Sequence, residues 1–293
     1  MSATTELTSI GTEFNNCTYL TEIVIPDTVT GIAEGAFSGC SSLTSMTIPF
    51  VGNGKAVSGF EALFGYIFGN QSYTGGTAVS QCYNYKYNYY RTSYIPSSLR
   101  SVTITKLKSI PDSAFQNCSC LTSVTIGDSV TSIGEWAFGC AGLTSITIPD
   151  SVTSIGEYAF YGCTRLTSIY YAGSLEQWLS ISFSSNFCSN GADLYINGTK
   201  LTDLMIPDSV TGIGKYAFSG YKGLTSVTIP ASVTSIGGLG VLWLHGAYER
   251  DDRRRRHQHR GGAFYVWLIS CFPAWAAHSL SILEESRNVK LFR

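Results

Sequence analysis

The stretch SVTSIGEWAFGCAGLTSITIPDSVTSIGEYAFYGC, residues 129–163, contains nearly the same phrase twice. Aligned on itself in this way, the whole chain shows a period of 22–23 residues. A fixed period of this length is typical of proteins in which every repeat forms one coil that stacks on the next. The stretch therefore predicts a solenoid, and the two halves of the phrase predict what each coil contains.

The first half of the phrase, L-x-x-I-x-I, predicts a short β-strand. Apolar residues alternate with serine or threonine at its end, which places them on one face of a strand, and β-branched side chains favour that conformation. In five repeats proline follows directly and ends the strand, because it has no amide hydrogen for the sheet. The motif begins at Leu20, Leu43, Leu99, Leu121, Leu143, Leu166, Leu201 and Leu224.

The second half, V-x-x-I-G-x-x-A-F-x-x-C, predicts either one helical turn or an extended piece followed by one helical turn. A single repeat cannot bury both of its halves, whereas stacked repeats can, because their strands pair and their Leu, Ile and Phe rows form one core. The predicted fold is therefore a repeat solenoid over residues 1–237, a horseshoe or rod of α/β type with a β-strand plus a short helical or extended turn per coil. Insertions at about 50–95 and 172–200 interrupt it.

Residues 238–293 differ from the rest of the chain in composition. They carry a net charge of +4 and all four histidines, whereas residues 1–237 carry −5. We interpret this segment as an atypical basic and apolar tail that is disordered or out of frame. Three alternatives remain open: residues 263–283 are long enough to span a bilayer, Arg253–Arg256 could be a nuclear or nucleic-acid patch, and the segment could be an unfamiliar cap.

The composition of residues 1–237 argues against catalysis and metal binding. The absence of histidine there excludes serine–histidine and cysteine–histidine nucleophile pairs as well as histidine-ligated zinc. The carboxylates recur at fixed repeat positions, which is typical of turn formers rather than of a general acid and base. The negative charge offers no electrostatic footprint for nucleic acid. We predict no catalytic residue, no metal site, no cofactor and no nucleic-acid partner.

Five cysteines share one position of the repeat: Cys17, Cys40, Cys118, Cys140 and Cys163. Tyr221 fills that position in a later repeat, so the position does not require sulfur. We predict a structural ladder of small buried thiols. Disulfides between neighbouring coils, or a metal site, remain alternatives, although parallel side chains are poorly placed for a disulfide.

The segment CYNYKYNYYRTSY, residues 82–94, is the best candidate for a binding surface. Four of its tyrosines alternate, so an extended backbone would place them all on one face. Tyrosine among asparagine and serine provides rigid contact area with a polar tip, which suits recognition. The alternative is that the insertion packs its tyrosines against the solenoid and covers a flank. The predicted binding residues are Tyr83, Tyr85, Tyr87, Tyr89 and Tyr90, with Tyr170 on the outward face of a strand.

The repeat LTSITIPDSVTSIGEYAFYGC, residues 143–163, resembles the consensus of the BspA-like leucine-rich-repeat family. The resemblance covers about residues 5–49 and 96–237, and FGYIFG at 64–69 and SLEQWL at 174–179 also look like the family. It implies a curved leucine-rich-repeat solenoid on bacterial or protist cell surfaces, used for adhesion to host proteins or to other cells. It implies no enzymatic activity.

The hypothesis is therefore a non-catalytic adhesion protein, located at the cell surface or extracellular, that recognises a host or cell-surface protein or glycan through its repeat face and its Tyr-rich insertion. A structural spacer within a larger surface protein is the alternative. The start, MSATTELTSIG, lacks the features of a signal peptide, so a cytoplasmic location remains open. Open strand edges predict edge-to-edge self-association. Sequons for glycosylation in a secreting host occur at Asn16, Asn70, Asn117 and Asn197.

Overall fold

The longer strands of the repeats form a sheet, called here the first sheet, that runs along the solenoid. The computed structural model describes residues 6–185, 187, 191–221 and 223–237, together with the residue pairs 264–265 and 289–290. All neighbours in the first sheet are parallel except the last two, which are antiparallel. In spatial order its strands are Glu22–Val24, Ser45–Ile48, Ser101–Ile104, Ser123–Ile126, Ser145–Ile148, Ser168–Tyr171, Asp193–Ile196 and Thr199–Lys200.

Neighbouring strands of the first sheet pair in the same repeat register. Ile48 lies opposite Ile104, and Ile104 lies opposite Ile126. These isoleucines are buried, whereas Thr125 and Thr147 on the intervening positions are exposed. The period-2 alternation therefore predicts both the strands and their inward face correctly, and like residues stack on like.

The second half of each repeat contains a two-residue strand and then a hydrogen-bonded turn. The structure thus has the extended piece of the second alternative, but a hydrogen-bonded turn follows it in place of a helical turn. In the repeat quoted at the outset, the Ala137 amide donates to the carbonyl oxygen of Gly134 at 3.4 Å within this turn. The short strands pair in parallel as Ser9–Ile10 with Gly31–Ile32, then Ser109–Ile110, Ser132–Ile133, Ser154–Ile155 and Ser182–Phe183 in one sheet, then Gly212–Ile213 with Ser235–Ile236.

A row of phenylalanines forms the centre of the core. The rings of Phe115, Phe138 and Phe160 stack nearly parallel, with centroids 5.3 and 5.1 Å apart and interplanar angles of 2° and 7°. Phe64 continues the row, 4.9 Å from Phe115. Together with the leucine and isoleucine rows, these rings belong to one continuous cluster of buried residues. The predicted solenoid, in which stacked repeats share one core, is confirmed.

The first insertion supplies part of a coil as well as an extra element. Two 3-10 helices, Gly59–Ala62 and Phe64–Phe68, follow the strand Ser45–Ile48. The second of them takes the place of a repeat turn, because the Phe37 amide donates to the Ile67 carbonyl and the Phe64 amide to the Ala114 carbonyl, both at 2.9 Å. An antiparallel hairpin then follows, with strands Gly76–Asn84 and Tyr89–Pro96 joined by the 3-10 turn Tyr85–Tyr87.

The second insertion begins with Leu175–Ser180, the one α-helix in the part of the chain that the structure describes. A capping box of Ser174 and Gln177 starts this helix. The buried Trp178 donates from Nε1 to the Ala217 carbonyl at 2.9 Å, which ties the helix to a later coil. Beyond Thr199–Lys200, the strand Asp203–Met205 pairs in parallel with Ser226–Thr228 in a separate two-stranded sheet.

The predicted tail, residues 238–293, lies outside the described residues apart from the two parallel strands Phe264–Tyr265 and Val289–Lys290. The interpretations of residues 263–283 and of Arg253–Arg256 therefore stay predictions. No helix in the described part of the chain has both the length and the apolar character needed to cross a membrane.

Candidate binding surfaces

The hairpin of the first insertion is fixed to the solenoid by a buried polar side chain. Gln81 is 0% exposed, and its Oε1 accepts from the Gly65 amide at 2.9 Å. Its Nε2 donates to the carbonyl oxygens of Ser113 and Ala114 at 3.1 and 2.8 Å. The next residue, Cys82, donates its amide hydrogen to Oε1 of Gln116 at 2.8 Å. Because buried polar groups that lose a partner are costly, these bonds determine where the part of the hairpin nearest its turn sits.

The expectation that four tyrosines share one extended face is wrong. The strand ends at Asn84, whose side chain accepts a hydrogen bond from the Tyr87 amide at 3.2 Å. Asn88 then closes the turn in the left-handed region, with φ of 53°. The tyrosines therefore diverge around a 3-10 turn instead of alternating along a strand.

Two of the predicted tyrosines are partly buried, and one of them packs against the solenoid. The Tyr85 hydroxyl shares a hydrogen bond of 2.8 Å with Oγ of Ser113 and accepts from Nε2 of Gln116 at 3.0 Å. Burial raises the pKa of the Tyr85 hydroxyl, so it stays protonated. Tyr83 lies edge-on to Phe60, with centroids 6.1 Å apart. Tyr85 matches the alternative in which the insertion packs against the solenoid and covers a flank, whereas Tyr83 packs on Phe60 and Tyr89 within the insertion.

The other three predicted tyrosines of the hairpin stand at its tip. Tyr87, Tyr89 and Tyr90 are each more than half exposed. The rings of Tyr87 and Tyr89 stack 5.7 Å apart, and the Lys86 ammonium lies 5.3 Å from the centre of the Tyr87 ring. We call these three residues the hairpin tip. The hairpin tip presents aromatic surface to solvent. The strands that carry it are fixed to the solenoid by the buried hydrogen bonds of Gln81.

The outward face of the first sheet carries a pair of aromatic residues. Tyr170 stacks on Tyr195 with centroids 4.6 Å apart, because the two residues are register partners on neighbouring strands. Sequence reasoning identified Tyr170 and missed Tyr195, since residues 193–196 fall within the predicted insertion although they form the next strand of the sheet. The alternating DLYI pattern there was the available signal. Tyr170 is 37% exposed and the pair faces solvent.

The predicted cysteine ladder holds for part of its length. Cys40 and Cys118 are buried, Cys17 is partly buried, and all three are free thiols. Sγ of Cys40 donates to the Phe14 carbonyl at 3.1 Å, and Sγ of the buried Cys163 donates to the Phe138 carbonyl at 2.9 Å. Burial raises the pKa of Cys40 to about 11 and raises that of Cys118 well above its ordinary value, so both stay protonated.

Cys140 does not belong to the ladder, contrary to the prediction. In its repeat Leu143 follows Phe138 by five positions, whereas in the other repeats the leucine follows the phenylalanine by six. The deletion moves Ala141 into the ladder position, as its amide bond to the Phe138 carbonyl shows. Cys140 instead takes the left-handed position, with φ of 55°, and is exposed.

The four asparagines of the predicted glycosylation sequons differ in their exposure. Asn16, Asn70 and Asn197 are exposed, whereas Asn117 is half-buried and donates from Nδ2 to the Ser80 carbonyl at 2.5 Å. Glycosylation at these sequons stays a prediction. Within the described residues, no group of three or more His, Cys, Asp or Glu side chains is placed to hold a metal ion.

The chain is similar to several solved leucine-rich repeat structures. One is a leucine-rich cell surface protein from Faecalibacterium prausnitzii A2-165, with 28% identity over 79% of this chain and 61% of that chain and a TM-score of 0.34. Another is a leucine-rich repeat protein from Eubacterium ventriosum ATCC 27560, with 20% identity over 80% of this chain and 79% of that chain and a TM-score of 0.38. The chain thus spans about three-fifths of the first protein. No curated protein matches it in sequence.

The repeats also match the sequence pattern of a known protein family. The BspA type leucine rich repeat region occurs in six copies, over residues 2–57, 88–194 and 189–239. These ranges cover well over half of the chain and coincide with the coils described above. The protein belongs to the BspA-type leucine-rich repeat family.

Proposed function

We propose that the protein is a non-catalytic binding protein of the cell surface that recognises a host or cell-surface protein or glycan. The hairpin tip and the outward face of the first sheet make the contact. One observation carries the proposal: three tyrosines are more than half exposed on a hairpin that a fully buried glutamine holds in place close to the turn. Membership of a family of surface repeat proteins supports the location and the absence of catalysis.

The hairpin tip suits recognition because of its rigidity. A tyrosine side chain buries a large area on binding, and only a few of its torsion angles become fixed. A hairpin that is already held in place also lowers the conformational entropy lost on binding. Tyr87 and Tyr89 already stack on each other, so part of that ordering precedes contact with a partner.

The sheet face adds contacts that repeat along the solenoid. Most of its outward residues are serine and threonine, which offer weak hydrogen bonds at each coil. The stacked pair of Tyr170 and Tyr195 provides an aromatic platform at one place on this face. Many weak contacts on one rigid support gain affinity through multiplicity.

The test is binding of the full chain to immobilised epithelial cells, to purified extracellular-matrix proteins and to a printed glycan panel. The variant replaces Tyr87, Tyr89 and Tyr90 by serine. The matched control is Tyr19→Ser, because Tyr19 is 95% exposed and lies outside the hairpin. We expect retention of the wild type and of the control on at least one surface, and a loss of about tenfold or more for the triple variant.

Circular dichroism separates lost recognition from lost folding, since the tip residues are exposed and their replacement should leave the spectrum unchanged. Equal retention of the triple variant and the wild type would contradict a role of the tip. Absence of retention on every surface would favour the structural spacer.

A further inference from the structure

Two columns of residues run along the turn side of the solenoid, where the phrase I-G-E-x-A-F recurs. One column is largely acidic and the next is largely aromatic, because the same two repeat positions recur in successive repeats. The coils of Asp112, Glu135 and Glu157 are direct neighbours in one ladder of short strands, whereas the short strands before Glu34 and Lys215 belong to other sheets. The first column is Glu34, Asp112, Glu135, Glu157 and Lys215, and the second is Gly35, Ser113, Trp136, Tyr158 and Tyr216.

The chain itself places a cation on an aromatic ring at each of the two outlying members of the column. Glu34 forms an ion pair with Arg91 of the hairpin, and the guanidinium carbon of Arg91 lies 5.1 Å from the centre of the Phe60 ring. At the other end the Lys215 ammonium lies 4.8 Å from the centre of the Tyr216 ring. A cation between a carboxylate and a ring face, or on a ring face alone, is thus the chemistry that this part of the fold already uses.

The middle of the acidic column has no such cation. In the described ranges of the chain, no lysine or arginine forms an ion pair with Asp112, Glu135 or Glu157. Oδ1 of Asp112 accepts only from the Glu135 amide, at 2.7 Å. Burial, and then the charges of Asp112 and Glu157, raise the pKa of Glu135. Within the described residues, these three negatively charged carboxylates therefore lie on neighbouring coils without a cation that neutralises them.

A cluster of aromatic rings comes from the same turns as these carboxylates. Trp136 contacts Tyr158 and Tyr161 with centroids 5.1 and 5.3 Å apart, and those two tyrosines lie 5.5 Å from each other. Tyr85 of the hairpin closes the group at 6.2 Å from Trp136. Tyr161 is 43% exposed, and Trp136 and Tyr158 are partly exposed.

We propose that this acid–aromatic surface, made of Asp112, Glu135 and Glu157 with Trp136, Tyr158 and Tyr161, binds the arginine or lysine side chains of a basic segment in a partner protein. The negative surface is complementary to such a segment, and the rings add cation–π attraction. The bound arginine would occupy a setting like that of Arg91 between Glu34 and Phe60. The surface is separate from the hairpin tip and takes a defined partner chemistry, so it goes beyond the function proposed above.

The spacing of the column defines a suitable probe. Successive coils of a parallel ladder lie about 4.8 Å apart, so the three carboxylates span about 10 Å, which corresponds to three residues of an extended peptide. The probe is a fluorescein-labelled peptide with two arginines three positions apart and serine elsewhere. A peptide with serine in place of both arginines is its control.

Binding to the full chain is measured by fluorescence anisotropy at low and high salt. The variant is E135Q/E157Q, which keeps size and shape and removes two charges. The matched control is E13Q/E176Q, because Glu13 and Glu176 are exposed and remote from the surface, and the net charge changes equally. Thermal denaturation of all variants establishes that they fold.

We expect the arginine peptide to bind in a salt-sensitive manner, E135Q/E157Q to weaken its affinity about tenfold, and E13Q/E176Q to leave it within about twofold. Tyr161→Ser should weaken binding as well, which an effect of charge alone would not produce. Absence of binding of the arginine peptide, equal affinity for the serine peptide, or equal losses in the two double variants would overturn the proposal.

Discussion

At the residue scale, the position before the Ala-Phe pair of each turn has an unusual backbone. The five residues there all have positive φ, and Gly35 at 69° is the only one without a side-chain penalty. Trp136, Tyr158 and Tyr216 adopt φ of 54°, 55° and 62°. The left-handed conformation costs a residue with a side chain roughly 1–2 kcal/mol. The contacts of these rings with one another and with Lys215 offset part of that cost.

Cys140 should be the cysteine in residues 6–185 that reacts most rapidly in the folded protein. It is exposed, whereas Cys40 and Cys118 are buried and their raised pKa values keep them as thiols, which are poor nucleophiles. Iodoacetamide at pH 7.5 followed by peptide mass mapping should label Cys140 first. The rapid phase should lose one equivalent in Cys140→Ser, while labelling in guanidinium chloride reaches every cysteine. Rapid labelling of Cys118 would contradict the prediction that the ladder thiols are buried.

Glu135→Gln should stabilise the protein at neutral pH. Burial and the charges of Asp112 and Glu157 raise the pKa of Glu135, and Tyr85 and Cys82 lie close enough for their own pKa values to respond to its charge. A raised carboxyl pKa means that the folded state binds the proton more tightly than the unfolded state. The penalty is therefore fully present above the folded pKa and disappears as the pH falls below the unfolded pKa.

Thermal unfolding between pH 4 and pH 8 measures this effect. We expect a higher melting temperature for Glu135→Gln than for the wild type at pH 7.5, and a difference that vanishes toward pH 4. Glu176→Gln, an exposed control, should show neither change. A lower melting temperature of Glu135→Gln at pH 7.5 would show that the charge is stabilising.

At the element scale, the hairpin depends on Gln81. Gln81→Ala removes three hydrogen bonds and leaves the Gly65 amide without its partner in a buried place. We expect a loss of about 2–4 kcal/mol in the free energy of unfolding, measured by urea denaturation. The control is Gln71→Ala, because Gln71 is exposed and bonds only its neighbour Asn70, so it should change stability by less than about 0.5 kcal/mol. Equal losses of stability in Gln81→Ala and Gln71→Ala would contradict the role of Gln81 in holding the hairpin.

The strands and their inward faces were predictable, but the turn geometry was not. Apolar alternation determines a strand locally, so each L-x-x-I-x-I motif predicted its own element. The hairpin turn depends on single asparagines, Asn84 as an acceptor and Asn88 in the left-handed region, which alternating tyrosines conceal. Cys140 illustrates the same limit, since one deleted residue reverses its exposure while the phrase still looks intact.

At the scale of the whole molecule, stability comes from contacts between neighbouring coils. Phe160→Ala should cost about 3–5 kcal/mol in the free energy of unfolding, because its ring is fully buried and stacks 5.1 Å from Phe138. Thr147→Ala on the outward face should cost less than about 0.5 kcal/mol. Urea denaturation compares the two variants, and similar costs would mean that the phenylalanine row does not form the central core.

The candidate sites were predictable only where they lie on one segment. The hairpin tip follows from a Tyr-rich stretch, although only three of its five predicted tyrosines are exposed at the tip. The pair of Tyr170 and Tyr195 and the acid–aromatic surface join residues from different coils. Their members become neighbours through the stacking register, which an isolated motif does not contain.

The junction after the second insertion has a mechanical consequence. Asp193–Ile196 and Asp203–Met205 belong to different sheets, and Trp178 bonds across to Ala217 beside that break. Elsewhere in the first sheet, neighbouring coils share a ladder of main-chain hydrogen bonds, which must rupture together under load. We therefore expect that pulling on a tethered molecule separates the coils at this junction first. The coils that follow Asp203–Met205 would then detach, while the coils of the first sheet stay together.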